Sequence, residues 1–200
     1  MNRFKDCDED VAAVTCQRMV FSDKTKRILF ADSYHFNNNS VFRTALMLGP
    51  TSAPLLRAKF VEAVGGWDEQ MEARQDWDLW IRLMKSYKAV FIDEALWIYH
   101  EVTFEHIGGS SKRQVNAHER IISKYFQHFE DDIYEYRDIL SILSMTYALT
   151  GNVKASLTNY LRVLRLKPFM ICGNFKLFCK ILKRFVRYVL QSNKILRLHI

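Results

Sequence analysis

Apolar and polar positions follow two different rhythms along this chain. Over the first hundred or so residues, short apolar runs alternate with polar breaks. Residues 11–21 (VAAVTCQRMVF) are rich in β-branched side chains and predict a strand. Asp23-Lys24-Thr25-Lys26 is a polar turn, and residues 27–31 (RILFA) predict the returning strand. Asn37-Asn38-Asn39-Ser40 predicts a loop that ends in a helix N-cap, with the helix over 41–47. Gly49-Pro50 breaks the chain, and Pro54 restricts residues 51–57 to a short edge or bent strand. A short helix follows over 58–64, stopped by Gly65-Gly66. Trp77, Trp80, Ile81 and Met84 fall at i, i+3, i+4 and i+7, which predicts a helix over 76–86. Residues 89–93 and 95–100 predict a strand pair about Asp93-Glu94, and Gly108-Gly109-Ser110-Ser111 a loop.

After about residue 112 the rhythm is helical only. Helices are expected over 115–129, 137–149, 154–166 and 175–198. Leu140, Leu143, Tyr147, Gly151, Ala155, Tyr160 and Pro168 are spaced like one helix–turn–helix repeat of tetratricopeptide type, too few for an array. The last helix is amphipathic and basic. Leu177, Phe178, Ile181, Leu182, Phe185 and Val189 are interleaved with Lys176, Lys180, Lys183, Arg184 and Arg187. The expected domains are 1–112, mixed α/β, and 113–200, all-α.

Composition narrows this picture. With 200 residues, 49% hydrophobic, 26% charged, 7 Gly and 3 Pro, the chain has the makings of a packed core and is no low-complexity polymer. Cys7, Cys16, Cys172 and Cys179 have neither zinc-ribbon spacing nor the density of a secreted disulfide framework, so reduced thiols and a cytoplasmic setting are expected. No signal peptide and no membrane-spanning run is expected. The net charge of +7 is unevenly spread. Residues 151–200 hold eleven Lys/Arg and no Asp or Glu, leaving 18 basic and 22 acidic residues in the first 150. The tail therefore calls for an anionic partner. A nucleic acid is not expected, because the body is acidic and carries no RNA- or DNA-binding motif.

The most informative stretch is 49–100. Gly49-Pro50-Thr51-Ser52 leads through a short strand and helix to Gly65-Gly66-Trp67-Asp68-Glu69. Gln75-Asp76-Trp77-Asp78-Leu79-Trp80-Ile81-Arg82 follows, and then the strands. Together these blocks resemble the C-terminal half of family 2 glycosyltransferases of the GT-A fold. That family has Gly-Gly-Phe-Asp-Glu and then an acidic pair opening a helix of the type Glu-Asp-x-Asp-Leu-x-x-Arg. Here Trp67 stands for the Phe and Gln75 for the Glu. The resemblance spans about residues 10–115.

It implies inverting sugar transfer, with Asp76 as the general base that deprotonates the acceptor hydroxyl. Physically, a carboxylate at a helix N-terminus is fixed by backbone N–H groups and the helix dipole. A plain N-cap Asp would sit in the same place. The resemblance also implies acceptor binding by Gly65, Gly66, Trp67, Asp68 and Gln75. Trp67 could stack on a sugar face or serve as a core aromatic. Asp78 and Arg82, at i and i+4, read as a helix salt bridge. His106, before Gly108-Gly109, or alternatively His100, would approach the metal or the donor diphosphate, although a lone His is more often structural.

The family's donor half, with an Asp-x-Asp motif on Mg²⁺ or Mn²⁺, has no counterpart here. Asp6-Cys7-Asp8 and Asp8-Glu9-Asp10 match as strings but abut the strand at 11, and read as a solvated loop. The 200 residues alone are therefore expected to be incomplete and inactive, with an incomplete metal site, and the strand at 11–21 to show an exposed edge. The overall expectation is an α/β, partial GT-A, Rossmann-like half followed by an all-α region. Its partners would be a nucleotide-sugar donor and a glycan or lipid-linked acceptor in cell-surface polysaccharide synthesis. The tail would rest on an anionic membrane surface from the cytoplasmic side, or its apolar face would pack on the preceding helices with its charges merely solvated. The alternative is a non-enzymatic helical binding or membrane-associated module.

Overall fold

The computed structural model describes residues 7–22, 27–30, 40–101, 111–166 and 171–197. The elements run β1 (Val11–Ser22), β2 (Arg27–Phe30), α1 (Val41–Leu48), β3 (Leu55–Leu56), α2 (Ala58–Ala63), α3 (Gln75–Ser86) and β4 (Lys88–Glu101). The helices α4 (Ser111–Lys124), α5 (Phe126–Asp131), α6 (Ile133–Leu149), α7 (Val153–Leu166) and α8 (Ile171–Arg197) follow. The chain is thus mixed α/β with a helical C-terminal region. It divides into two units. The first holds residues 1–71 and 75–106, and the second 72–74 and 107–200. No helix among the described residues is long and apolar enough to cross a membrane.

In the first unit β1 is the hub of a mixed sheet. β4 runs parallel to it along its whole length, and β2 and β3 pair with it antiparallel. A strand has two edges, so β2 (against residues 19–22) and β3 (against 13–14) share the edge opposite β4. The exposed edge expected at this strand is therefore only partly covered: β3 takes residues 13–14 and β2 residues 19–22, and residues 15–18 between them pair with no described strand on that side. Val11 to Thr15 are all buried in succession, which requires cover on both faces of that half of the strand. The expected strand pair at 89–100 is instead one strand. Asp93 and Glu94 form a bulge between the pairs Cys16↔Ile92 and Gln17↔Ala95.

Ser40 caps α1, its Oγ accepting from the Arg43 N–H at 3.2 Å. Phe42, Ala45 and Leu48 of α1 are buried, as are Leu79, Trp80, Ile81 and Leu83 of α3, and Phe42 meets Trp77 edge-on at 5.9 Å. The Trp80 indole N–H donates to the Gly49 carbonyl at 2.9 Å, fastening α3 to the turn that ends α1.

In the second unit the helix expected over 115–129 breaks at Tyr125 into α4 and α5. Asp132 then caps α6, accepting from the N–H groups of Tyr134 and Glu135. Leu140, Ala148, Val163, Leu177 and Ile181 form the core shared by α6, α7 and α8. Ser144 and Ser156 exchange hydroxyl-to-carbonyl bonds of 2.8 Å, so α6 and α7 approach closely at small residues. Gly151, at φ 73°, turns the chain between them, and a Cβ there would meet Tyr188 Cε1 of α8 at 2.3 Å. His118 is fully buried. Thr146 Oγ1 donates to the Ile142 carbonyl, so at His118 it accepts, which places the ring proton on Nδ1. Burial, with the Arg74 and Arg184 charges, pushes the His118 pKa down to about 3.

Candidate functional site

The site predicted from sequence begins at the end of α2. The Gly66 N–H bonds the Val61 carbonyl and the Gly65 N–H the Glu62 carbonyl, each at 2.9 Å, which is a Schellman stop. Gly65 and Gly66 both have positive φ, 84° and 66°, and a Cβ on either would meet nothing within 4 Å. The glycines are there for backbone conformation, and the turn stands clear of surrounding atoms. The chain then presents Trp67, whose ring packs against buried Trp80 at 6.0 Å while 45% of its surface stays exposed. Trp67 is thus both a core contact and an open aromatic face. Asp68 Oδ1 accepts from the Gln70 N–H at 3.0 Å, and the Gln75 side-chain amide donates to the Met71 carbonyl at 2.9 Å. Both side chains brace the loop leading into α3.

Asp76 lies half-buried in the first turn of α3 and accepts from the Trp77 N–H at 2.9 Å. Two residues on, Asp78 is fully buried, and Arg82 grips its Oδ2 through Nε at 3.0 Å and Nη2 at 2.7 Å. The simple salt bridge read from the sequence is only part of this. Arg82 Nη1 also donates to the Val64 carbonyl at 2.5 Å, at the end of α2. One guanidinium therefore ties the Gly65-Gly66 turn to α3. Nothing in the i, i+4 spacing announces that third bond.

Sequence reasoning also missed a cavity of about 260 Å³ in this unit, lined by Thr15, Arg18, Leu48, Gly49, Phe91 and Trp97, among others. Asp76 and the Gly65–Asp68 residues do not line it. Arg18 and Trp97 come together only because they are register partners across β1 and β4. A second register shift, which skips Leu96 between the pairs Gln17↔Ala95 and Arg18↔Trp97, makes that pairing, and no sequence motif marks it.

The remaining candidates scatter. His100 sits near the end of β4, exposed, with its ring 5.3 Å from Phe21. His106 lies outside the described residues. The Asp8–Asp10 segment is a turn entering β1. Arg57 Nη1 donates to the Asp8 and Glu9 carbonyls, and the Asp10 carboxylate pairs with Lys88 Nζ at 2.8 Å, which raises the lysine's pKa. Among the described residues no three His, Cys, Asp or Glu side chains converge. No family model matches this chain, and no curated protein matches it.

Proposed function

We propose that the first unit is the acceptor side of a GT-A, family 2 type glycosyltransferase. It would serve transfer of a sugar from a nucleotide-sugar donor to a glycan or lipid-linked acceptor. The observation that carries this reading is the coupling of the two sequence blocks behind it. Arg82 joins the Gly65-Gly66 turn to α3, and Trp67 packs on Trp80, so the glycine turn, the open aromatic face and the start of α3 form one continuous assembly. The parallel pairing of β1 with β4, with α3 preceding β4, is compatible with such a fold.

The chemistry follows from the side chains. An acceptor sugar would stack on Trp67 beside a turn whose glycines leave room for its hydroxyls. Asp76 would take the proton of the attacking hydroxyl as its oxygen bonds the anomeric carbon. The bond from that carbon to the nucleotide diphosphate breaks on the opposite side, inverting the configuration. Asp78 is fully buried and engaged by Arg82, so it positions α3 and leaves proton transfer to Asp76.

The test is titration of the full chain with glucose, galactose, mannose, rhamnose and N-acetylglucosamine oligomers, read by tryptophan emission. Saturable quenching is expected. It should weaken at least about tenfold in Trp67→Ala and stay unchanged in Asp76→Asn, because a base acts in the transition state and not in binding. No saturable response from folded protein overturns the reading.

A further inference from the structure

The second unit leaves one large feature unused by the sugar-transfer reading, the outward surface of α8. The helix carries three stripes, each roughly a third of a turn from the next at about 100° per residue. Asn174, Leu177 and Ile181 form the buried stripe that packs into the bundle. Lys176, Lys180, Lys183 and Arg187 form a second, exposed and cationic. Phe175, Phe178, Leu182, Val186, Val189 and Leu190 form the third, and all six are exposed. Phe175 is 65% and Leu190 60% accessible. A helix that merely packs on its neighbours has one apolar stripe. This one has a second, facing outward beside a row of cations.

The apolar stripe continues onto α7. Val153, Leu157 and Leu161, spaced four apart, are also exposed. Val153 and Leu157 line an apolar groove of about 90 Å³ together with Phe178, Ile181, Leu182 and Phe185. The exposed faces of α7 and α8 therefore meet as one apolar surface.

We infer that this α7–α8 face lies on an anionic lipid surface. Charge complementarity selects that occupant: residues 151–200 carry eleven Lys/Arg and no Asp or Glu. Laid in the headgroup plane, α8 would insert Phe175, Phe178, Leu182 and Leu190 at the acyl boundary, and the adjacent cations would meet phosphates. A second copy of the same face would bring two rows of cations together, with no acid in either to offset them. The inference uses the second unit alone and stands apart from the sugar-transfer reading.

The experiment is flotation of the full chain with vesicles of phosphatidylcholine alone, and of phosphatidylcholine with one-third phosphatidylglycerol. Binding is expected only to the anionic vesicles, and high salt should weaken it. K176Q/K180Q/K183Q/R187Q should reduce it by about tenfold or more. F175S/L190S should reduce it several-fold, with unchanged circular dichroism because both residues face outward. Equal binding to both vesicles, binding kept by either variant, or no binding by folded protein would overturn the inference. So would a dimer in solution that F175S/L190S dissolves, or duplex DNA bound equally by wild type and F175S/L190S.

Discussion

Helices α3 and α8 are both amphipathic, but they spend their apolar residues in opposite ways. In α3, Leu79, Trp80, Ile81, Leu83 and Met84 are all buried, and even Asp78 is inside, engaged by Arg82. In α8, Phe175, Phe178, Leu182, Val186, Val189 and Leu190 remain exposed beside exposed lysines. The contrast shows where each helix can act. The core consumes most of the apolar residues of α3, which leaves its N-terminal turn for the chemistry proposed above. The outer apolar stripe of α8 is not consumed, which leaves its flank for the lipid contact inferred above.

The largest test of this contrast is truncation. Trp80→Ala should cost about 3–5 kcal/mol in chemical denaturation, since it removes a fully buried ring and the bond to the Gly49 carbonyl. Leu190→Ala on α8 should stay within about 0.5 kcal/mol. Equal effects would erase the distinction.

Next comes the ion pair. Arg82→Met leaves Asp78 buried without its cation and should cost about 3–5 kcal/mol. Asp78→Leu/Arg82→Met should recover most of that loss, short of the bond to the Val64 carbonyl. A double variant as unstable as the single one would show that the Val64 bond matters more than the charge pair.

Acid should act on the second unit through His118. Its folded pKa of about 3 lies below the ordinary 6.5, so between those values the unfolded chain binds the extra proton. Stability is then full above about pH 6.5 and falls as pH drops toward about 3, by at most about 1.4 kcal/mol per pH unit. His118→Gln should flatten that slope in pH-dependent denaturation monitored on the second unit. An unchanged slope would remove His118 from the acid response.

The smallest effect tests how α8 is seated. Gly151→Ala should cost about 1–2 kcal/mol, from the positive φ and the clash with Tyr188. Adding Tyr188→Ala should remove the clash component but not the backbone component. Additive losses in the double variant would contradict this seating.

Elements set by local chemistry were legible in the sequence. The Ser40 cap, the Gly65-Gly66 stop and the hairpin of β1 with β2 each depend on a few neighbouring residues. Features set by distant pairing were not. Asp93-Glu94 looked like a turn between two strands, yet pairing with β1 on both sides of it makes a bulge. The third bond of Arg82 reaches a carbonyl eighteen residues away. On α8, periodicity showed that apolar residues recur, but not that Leu177 and Ile181 would be buried while Leu182 and Val186 stay out. Only the shape of α6 and α7 decides that. The Gly65–Asp68 and Asp76 positions were legible as motifs, and what joins them was not.

The most direct measurement of the central claim is NMR mapping of an oligosaccharide onto the isotope-labelled full chain. The probe is whichever oligomer quenches tryptophan emission most strongly. The account predicts that the amides of Gly65, Gly66 and Asp76 and the Trp67 indole shift together along one binding curve, with α6 and α7 silent. Shifts confined to the second unit, or to residues around Arg18 and Trp97 with Gly65–Asp68 unmoved, would contradict it.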